Sequence, residues 1–188
     1  MRHIDPKVRM EFEIEDVSIG DDAIIKTYQV RSDTGPIYVF HHGAGHSGLT
    51  WSLTCKHLVV HQPCSILCFD ARGHGGSVCK SLELSLEQLS LDMGLLVNTV
   101  YPANSRDIFL VGHRYNNKAI AIDSFLTLAI LSLGGSVVVE TISKALIKNV
   151  RGVVVLDVVE GILDHYILDT LILTHSFFKA LQSTRCLS

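Results

Sequence analysis

The sequence predicts an α/β fold built on a doubly wound, mostly parallel sheet, and three observations carry that reading. Short, continuously apolar runs at 37–41, 65–69, 107–111 and 152–156 read as strands buried on both faces. Helically spaced segments at 49–60, 86–100 and 137–146 fall between and after them. Alternation of the two types implies βαβ units, with parallel pairing and helices on both faces of the sheet.

The elements follow in chain order. Residues 11–17 and 23–30 cluster β-branched and aromatic residues and are expected as two strands. Ser32-Asp33-Thr34-Gly35-Pro36 supplies turn chemistry before the strand at 37–41. A glycine-containing loop leads into the helix at 49–60, and the strand at 65–69 runs into a second glycine-rich loop. Ser85, with Glu87 behind it, is the expected N-cap of the helix at 86–100. With 188 residues, one domain over 1–188 is expected. There is no internal repeat or low-complexity segment.

Composition excludes several classes of function. An apolar fraction of 47% with 19% charged residues can bury a core and does not describe a disordered chain. Sixteen basic against nineteen acidic side chains, with no Lys/Arg stripe, argue against a nucleic-acid partner. The stretch 119–131 is apolar but interrupted by Asp123, Ser124 and Thr127, and is too short to span a bilayer. No membrane association is expected, and no secretory signal is legible behind Met1. Five cysteines without repeated spacing read as reduced thiols in a cytoplasmic protein, with the nucleus as an alternative location.

Ligands of open α/β sheets bind at loops leaving the carboxyl ends of strands. Three such loops stand out. The first is His41-His42-Gly43-Ala44-Gly45-His46-Ser47, whose small residues let a backbone N–H approach a ligand. The second is Asp70-Ala71-Arg72-Gly73-His74-Gly75, in which Asp70 and Arg72 are expected to hold the loop by charge-assisted hydrogen bonds. The four histidines of these loops lack metal-ligand spacing and carboxylate support, so neither a metal nor a cofactor is expected. Together the two loops resemble those of the α/β-hydrolase superfamily, whose His-Gly loop supplies half of an oxyanion hole.

A hydrolase of that kind next needs a nucleophile elbow, G-x-S-x-G. Here Val111-Gly112-His113 is followed by Arg114, and Ser132-Leu133-Gly134-Gly135 appears eighteen residues later. Joining His113 to Ser132 completes the elbow, so 114–131 reads as an insertion. The third loop, Asp157-Val158-Val159-Glu160-Gly161, and the Gly43-Ala44-Gly45-His46-Ser47 run with Trp51 four residues on, resemble the protein phosphatase methylesterase family. Its members remove a methyl ester from the C-terminal carboxylate of the protein phosphatase 2A catalytic subunit.

The resemblance covers about residues 10–161 with the insertion excluded. It implies Ser132 as nucleophile, Asp157 as triad acid, and the N–H groups of Ala44 and Leu133 as the oxyanion hole. Gly112, His113 and Gly134 would form the elbow, with the phosphatase as partner. A serine needs a neighbouring His to take its proton and a carboxylate to orient that His. The family's late catalytic His has no counterpart: His165 lies too near Asp157, His175 matches nothing, and 162–188 reads as a divergent tail on a sheet incomplete at its C-terminal side. An alternative is therefore a non-catalytic, truncated relative that only binds the phosphatase or does not fold. A general lipase or esterase is a weaker third reading, disfavoured by the Asp-Val-Val-Glu-Gly string.

Overall fold

A computed structural model describes residues 10–102, 106–113 and 133–156. Seven strands of this region form one sheet: β1 (Glu13–Ile19), β2 (Ala23–Val30), β3 (Ile37–His41), β4 (Ser65–Phe69), β5 (Val78–Cys79), β6 (Ile108–His113) and β7 (Val150–Leu156). Their spatial order is β1-β2-β4-β3-β6-β7, with the short β5 also paired to β2. β3 pairs in parallel with β4 and β6, and β6 with β7; β1, β2 and β5 add antiparallel pairs on the other side. The result is the expected α/β sheet, parallel where the apolar runs lie and antiparallel at the N-terminal edge.

Burial explains the division. Every residue of β3 and β4 is buried, as their unbroken apolar runs require of strands covered on both faces. β1 instead has Glu13, Glu15 and Asp16 on an exposed strand. Arg31 bridges to Glu13 and Glu15, and Lys26 to Asp16.

The helices lie on the two faces. A 3₁₀ turn at Gly48–Trp51 continues into α1 (Ser52–His61), which places Cys55 over β4, its Sγ 3.5 Å from that of Cys68. On this face Tyr28, Tyr38, Phe40, Trp51, Ile66 and Val111 pack together. The opposite face holds α2 (Leu86–Val100) and α3 (Leu133–Ser143) over Ile37, Val39, Leu67, Phe69, Leu110 and Val153. Full burial of each such Leu, Ile or Phe contributes roughly 1.5–3 kcal/mol, the main term holding the layers together.

Ser85 caps α2 as expected, accepting the Gln88 N–H at 3.2 Å. The helix expected over 137–146 starts four residues earlier, at Leu133, and ends at Ser143. Gly134 and Gly135, which precede the expected helix, are helical and buried, and Gly134 packs too closely against backbone carbonyls for a larger residue. Among the described residues no helix is long and apolar enough to cross a membrane.

Candidate active site

Strand register brings the carboxyl ends of β3, β4, β6 and β7 to one level. His41 stands opposite Gly112 across β3–β6, and Gly112 opposite Val155 across β6–β7. Phe40 faces Cys68 across β3–β4, so the chain leaves these strands side by side at their carboxyl ends.

The loop after β3 begins with two fully buried histidines. His41 Nδ1 lies 2.8 Å from His42 O, and His42 Nδ1 lies 2.7 Å from Gly43 O. His42 Nε2 accepts the Ala71 N–H at 2.9 Å, tying this loop to the one after β4. Burial, assisted by neighbouring histidines, pushes His41 down to about 3 and His42 down to about 4. Both are neutral at physiological pH. Ala44, partly buried, packs against the same core cluster as Leu133.

The loop after β4 is held by two charges. Asp70 is buried, and its carboxylate accepts the Gly48 N–H at 2.7 Å, the Gly76 N–H at 2.8 Å and the Tyr28 hydroxyl at 3.1 Å. Burial and the adjacent Asp70 push the Tyr28 hydroxyl up to about 12. Gly75 has a φ of +51° and passes so close to the Asp70 carboxylate that a side chain there would collide with it. Arg72, also buried, forms a fork on Asp92 with contacts of 2.7 and 2.9 Å, donates to Ser81 O at 2.8 Å and pairs with Asp22. Those carboxylates hold its guanidinium charged, well above the usual arginine range.

The structural role expected for Asp70 and Arg72 is therefore the one seen, but sequence reasoning missed Asp92 and Asp22. Asp92 left a signal: it sits three residues after Leu89 on the helix face that also buries Met93 and Leu96. A carboxylate among apolar positions at helical spacing calls for a buried partner. Asp22 left none.

The two halves expected to form an elbow lie against each other across the residues between them. A methyl group on Gly112 would overlap Gly134 O and approach the Gly135 Cα at 2.9 Å. One on Gly134 would meet His42 O at 2.6 Å and the carbonyls of His41 and His113 at 2.7 Å. Thus α3 begins directly against the ends of β3 and β6, although eighteen residues and Ser132 separate Leu133 from His113 in the chain. The His113 ring turns to the other side, 5.8 Å from Trp51 and 6.0 Å from His46. Of the expected site residues, Ala44, Gly112, His113, Leu133 and Gly134 are described and gathered here. Ser132 and Asp157 lie outside the described residues, as do the segments 114–131 and 162–188 with His165 and His175. No three described His, Cys, Asp or Glu side chains form a group able to hold a metal ion.

A family model described as "Alpha/beta hydrolase family" matches residues 38–181. The chain belongs to the alpha/beta hydrolase family. Within that family, the chain is similar to protein phosphatase methylesterase 1 of Bos taurus, with 31% identity over 151 residues. That match covers 79% of this chain and 35% of the relative. The same-named protein of Mus musculus is 30% identical over 79% of this chain and 34% of its own length. A "probable protein phosphatase methylesterase 1" of Caenorhabditis elegans is 30% identical over 79% and 36%. The chain thus spans about a third of the length of these relatives. Among solved structures, an epoxide hydrolase from Solanum tuberosum superposes with a TM-score of 0.60 at 15% identity, covering 86% of this chain and 45% of that one. A putative lipase from Acinetobacter baumannii gives 0.58 at 16% identity over 77% and 40%. At such identity these two speak for the fold alone.

Proposed function

We propose that this hydrolase is a serine carboxylesterase of the protein phosphatase methylesterase type. Its substrate in this reading is the methyl ester on the C-terminal carboxylate of the protein phosphatase 2A catalytic subunit, in the cytoplasm and also in the nucleus. The observation that carries the reading is the contact of Gly112 with Gly134 beside His41 and His42, since only an elbow needs strand and helix this close at this point.

The chemistry follows from acyl transfer. Ser132 Oγ attacks the ester carbonyl while a histidine removes its proton and Asp157 orients that histidine. The tetrahedral oxyanion accepts the N–H groups of Ala44 and Leu133. Collapse expels methanol and leaves the phosphatase tail as an acyl-enzyme, which water hydrolyses to the free carboxylate and Ser132. No residue of 162–188 matches the family's late histidine in position, so the proton acceptor is the part of the triad that this reading does not assign.

The second reading, a non-catalytic relative that binds the phosphatase, is favoured by one observation. Ser132 is separated from His113 by eighteen residues, and a misplacement of ~1 Å can already cost ~10²-fold in rate. A fluorophosphonate probe and a methyl-esterified C-terminal phosphatase peptide separate the two. Labelling at Ser132 that Ser132→Ala abolishes, together with methanol release, supports the esterase. A chain that binds the peptide, stays unlabelled and gains labelling when 114–131 is deleted supports the second reading.

A further inference from the structure

His41 and His42 stand fully buried at the end of β3, and acyl transfer gives neither of them a chemical step. Each directs Nδ1 at the carbonyl of the residue that follows it, His41 at His42 O and His42 at Gly43 O, at 2.8 and 2.7 Å. A carbonyl oxygen can only accept, so each ring carries its proton on Nδ1. For His42 the assignment is made twice, because Nε2 faces the Ala71 N–H at 2.9 Å and has to be the acceptor there. Gly43 O receives a second donor, the His46 N–H at 3.2 Å.

The consequence passes through the peptide plane. In a planar trans peptide the carbonyl and the following N–H point in opposite directions, and no described peptide is cis. Holding the Gly43 carbonyl toward His42 Nδ1 therefore turns the Ala44 N–H the other way. That N–H makes no hydrogen bond among the described residues. A free donor in a peptide that cannot rotate meets the requirement of charge stabilisation without reorganisation at the moment of reaction.

We propose that His41 and His42 are positioning residues for ester hydrolysis, successive Nδ1–H donors that lock the two peptide planes ahead of Ala44 and keep its N–H turned toward the reacting carbonyl. The purpose of that N–H rests on the esterase reading above; its orientation rests on the hydrogen bonds alone. The surroundings favour the neutral donor form. The charged and titratable groups acting on His42 are His74, His46 and Asp70, and those acting on His41 are His42 and His74; burial outweighs them in both rings.

The test uses the full chain with ¹⁵N-labelled histidine. Long-range ¹H–¹⁵N spectra at pH 7 should show both rings neutral and protonated on Nδ1. His42→Asn keeps an amide donor near the Nδ1 position, whereas His42→Gln reaches Ala71 but leaves Gly43 O without its side-chain donor. Fluorophosphonate labelling of Ser132 should slow roughly tenfold to a hundredfold in His42→Gln, less than the ~10²–10³-fold cost of deleting an oxyanion donor. The probe concentration giving half-maximal rate should not change, and His42→Asn should recover most of the lost rate. An Nε2–H tautomer in either ring, or His42→Gln labelling as fast as the parent, overturns the positioning role while the esterase reading stands. A parent chain with both Nδ1 protons in place that never labels defeats the esterase reading, and the positioning role falls with it.

Discussion

The two sides of the candidate site are built by opposite means. On the β3–β4 side the loops are wired: Asp70 takes three donors, Arg72 takes two carboxylates and a carbonyl, and His42 spans from Gly43 to Ala71. On the β6–α3 side the contact between Gly112 and Gly134 depends on atoms that are missing, two absent Cβ groups that let backbone meet backbone. A wired junction specifies distance and angle through charge, and it fails when a charge is left unpaired. A bare junction specifies only proximity, and it fails when anything is added. Added atoms hurt the first side too, as at Gly75, but only the first depends on charge.

Perturbations of each side can break or sharpen that contrast. Arg72→Met removes the cation between Asp92 and Asp22 and leaves Asp92 buried without it, so urea unfolding should show a loss of about 3–5 kcal/mol. A loss below ~1 kcal/mol would mean the wiring is ornamental. Acid comes next. Both histidines are neutral when folded and bind a proton near pH 6.5 when unfolded, so below that pH the unfolded chain holds more protons. Stability is fully present above pH 6.5 and is lost as pH falls toward about 4, the value of His42. Between pH 6.5 and 5 the loss should be about 2 kcal/mol for each ring, and His42→Asn should remove its share of the slope. A melting profile flat from pH 7 to 5 would contradict the buried neutral pair.

Gly134→Ala probes the bare side. Overpacking typically costs ~1–3 kcal/mol, and here the new methyl meets three carbonyls at once, so about 3 kcal/mol is expected. Its effect should persist unchanged at high salt, unlike an electrostatic lesion. Smallest of all is Lys144→Ala. That lysine pairs with Glu87 and Glu140 at the surface between α2 and α3, and its loss should leave the urea midpoint within measurement error of the parent.

Much of this architecture is legible from residues alone. The strands at Ile37–His41 and Ser65–Phe69 and the helix at Leu86–Val100 are read with their observed limits, because apolar period and cap agree there. The expected helix over 49–60 divides into a 3₁₀ turn and α1. Ser47 makes no side-chain cap, and the Gly48 N–H is drawn instead to Asp70, twenty-two residues away. No local pattern encodes that distant partner. β5 escapes for the same reason, being two residues paired to β2 by tertiary contact. At the site, the loops announce themselves by composition, and Gly112 and Gly134 by their place in a motif. The Nδ1 tautomers of His41 and His42 do not, since only the carbonyls facing them decide which nitrogen bears the proton.

The acidic first strand has a colloidal consequence. Among the described residues β1 is an edge strand with one neighbour, and such a strand is a template on which another chain can add. Two copies that met through β1 would bring Glu13, Glu15 and Asp16 of each against the other. Arg31 and Lys26 answer only part of that row, two cations against three carboxylates, so a net negative margin remains, and neutralising it with acid or with amide substitutions should make the edge more adhesive.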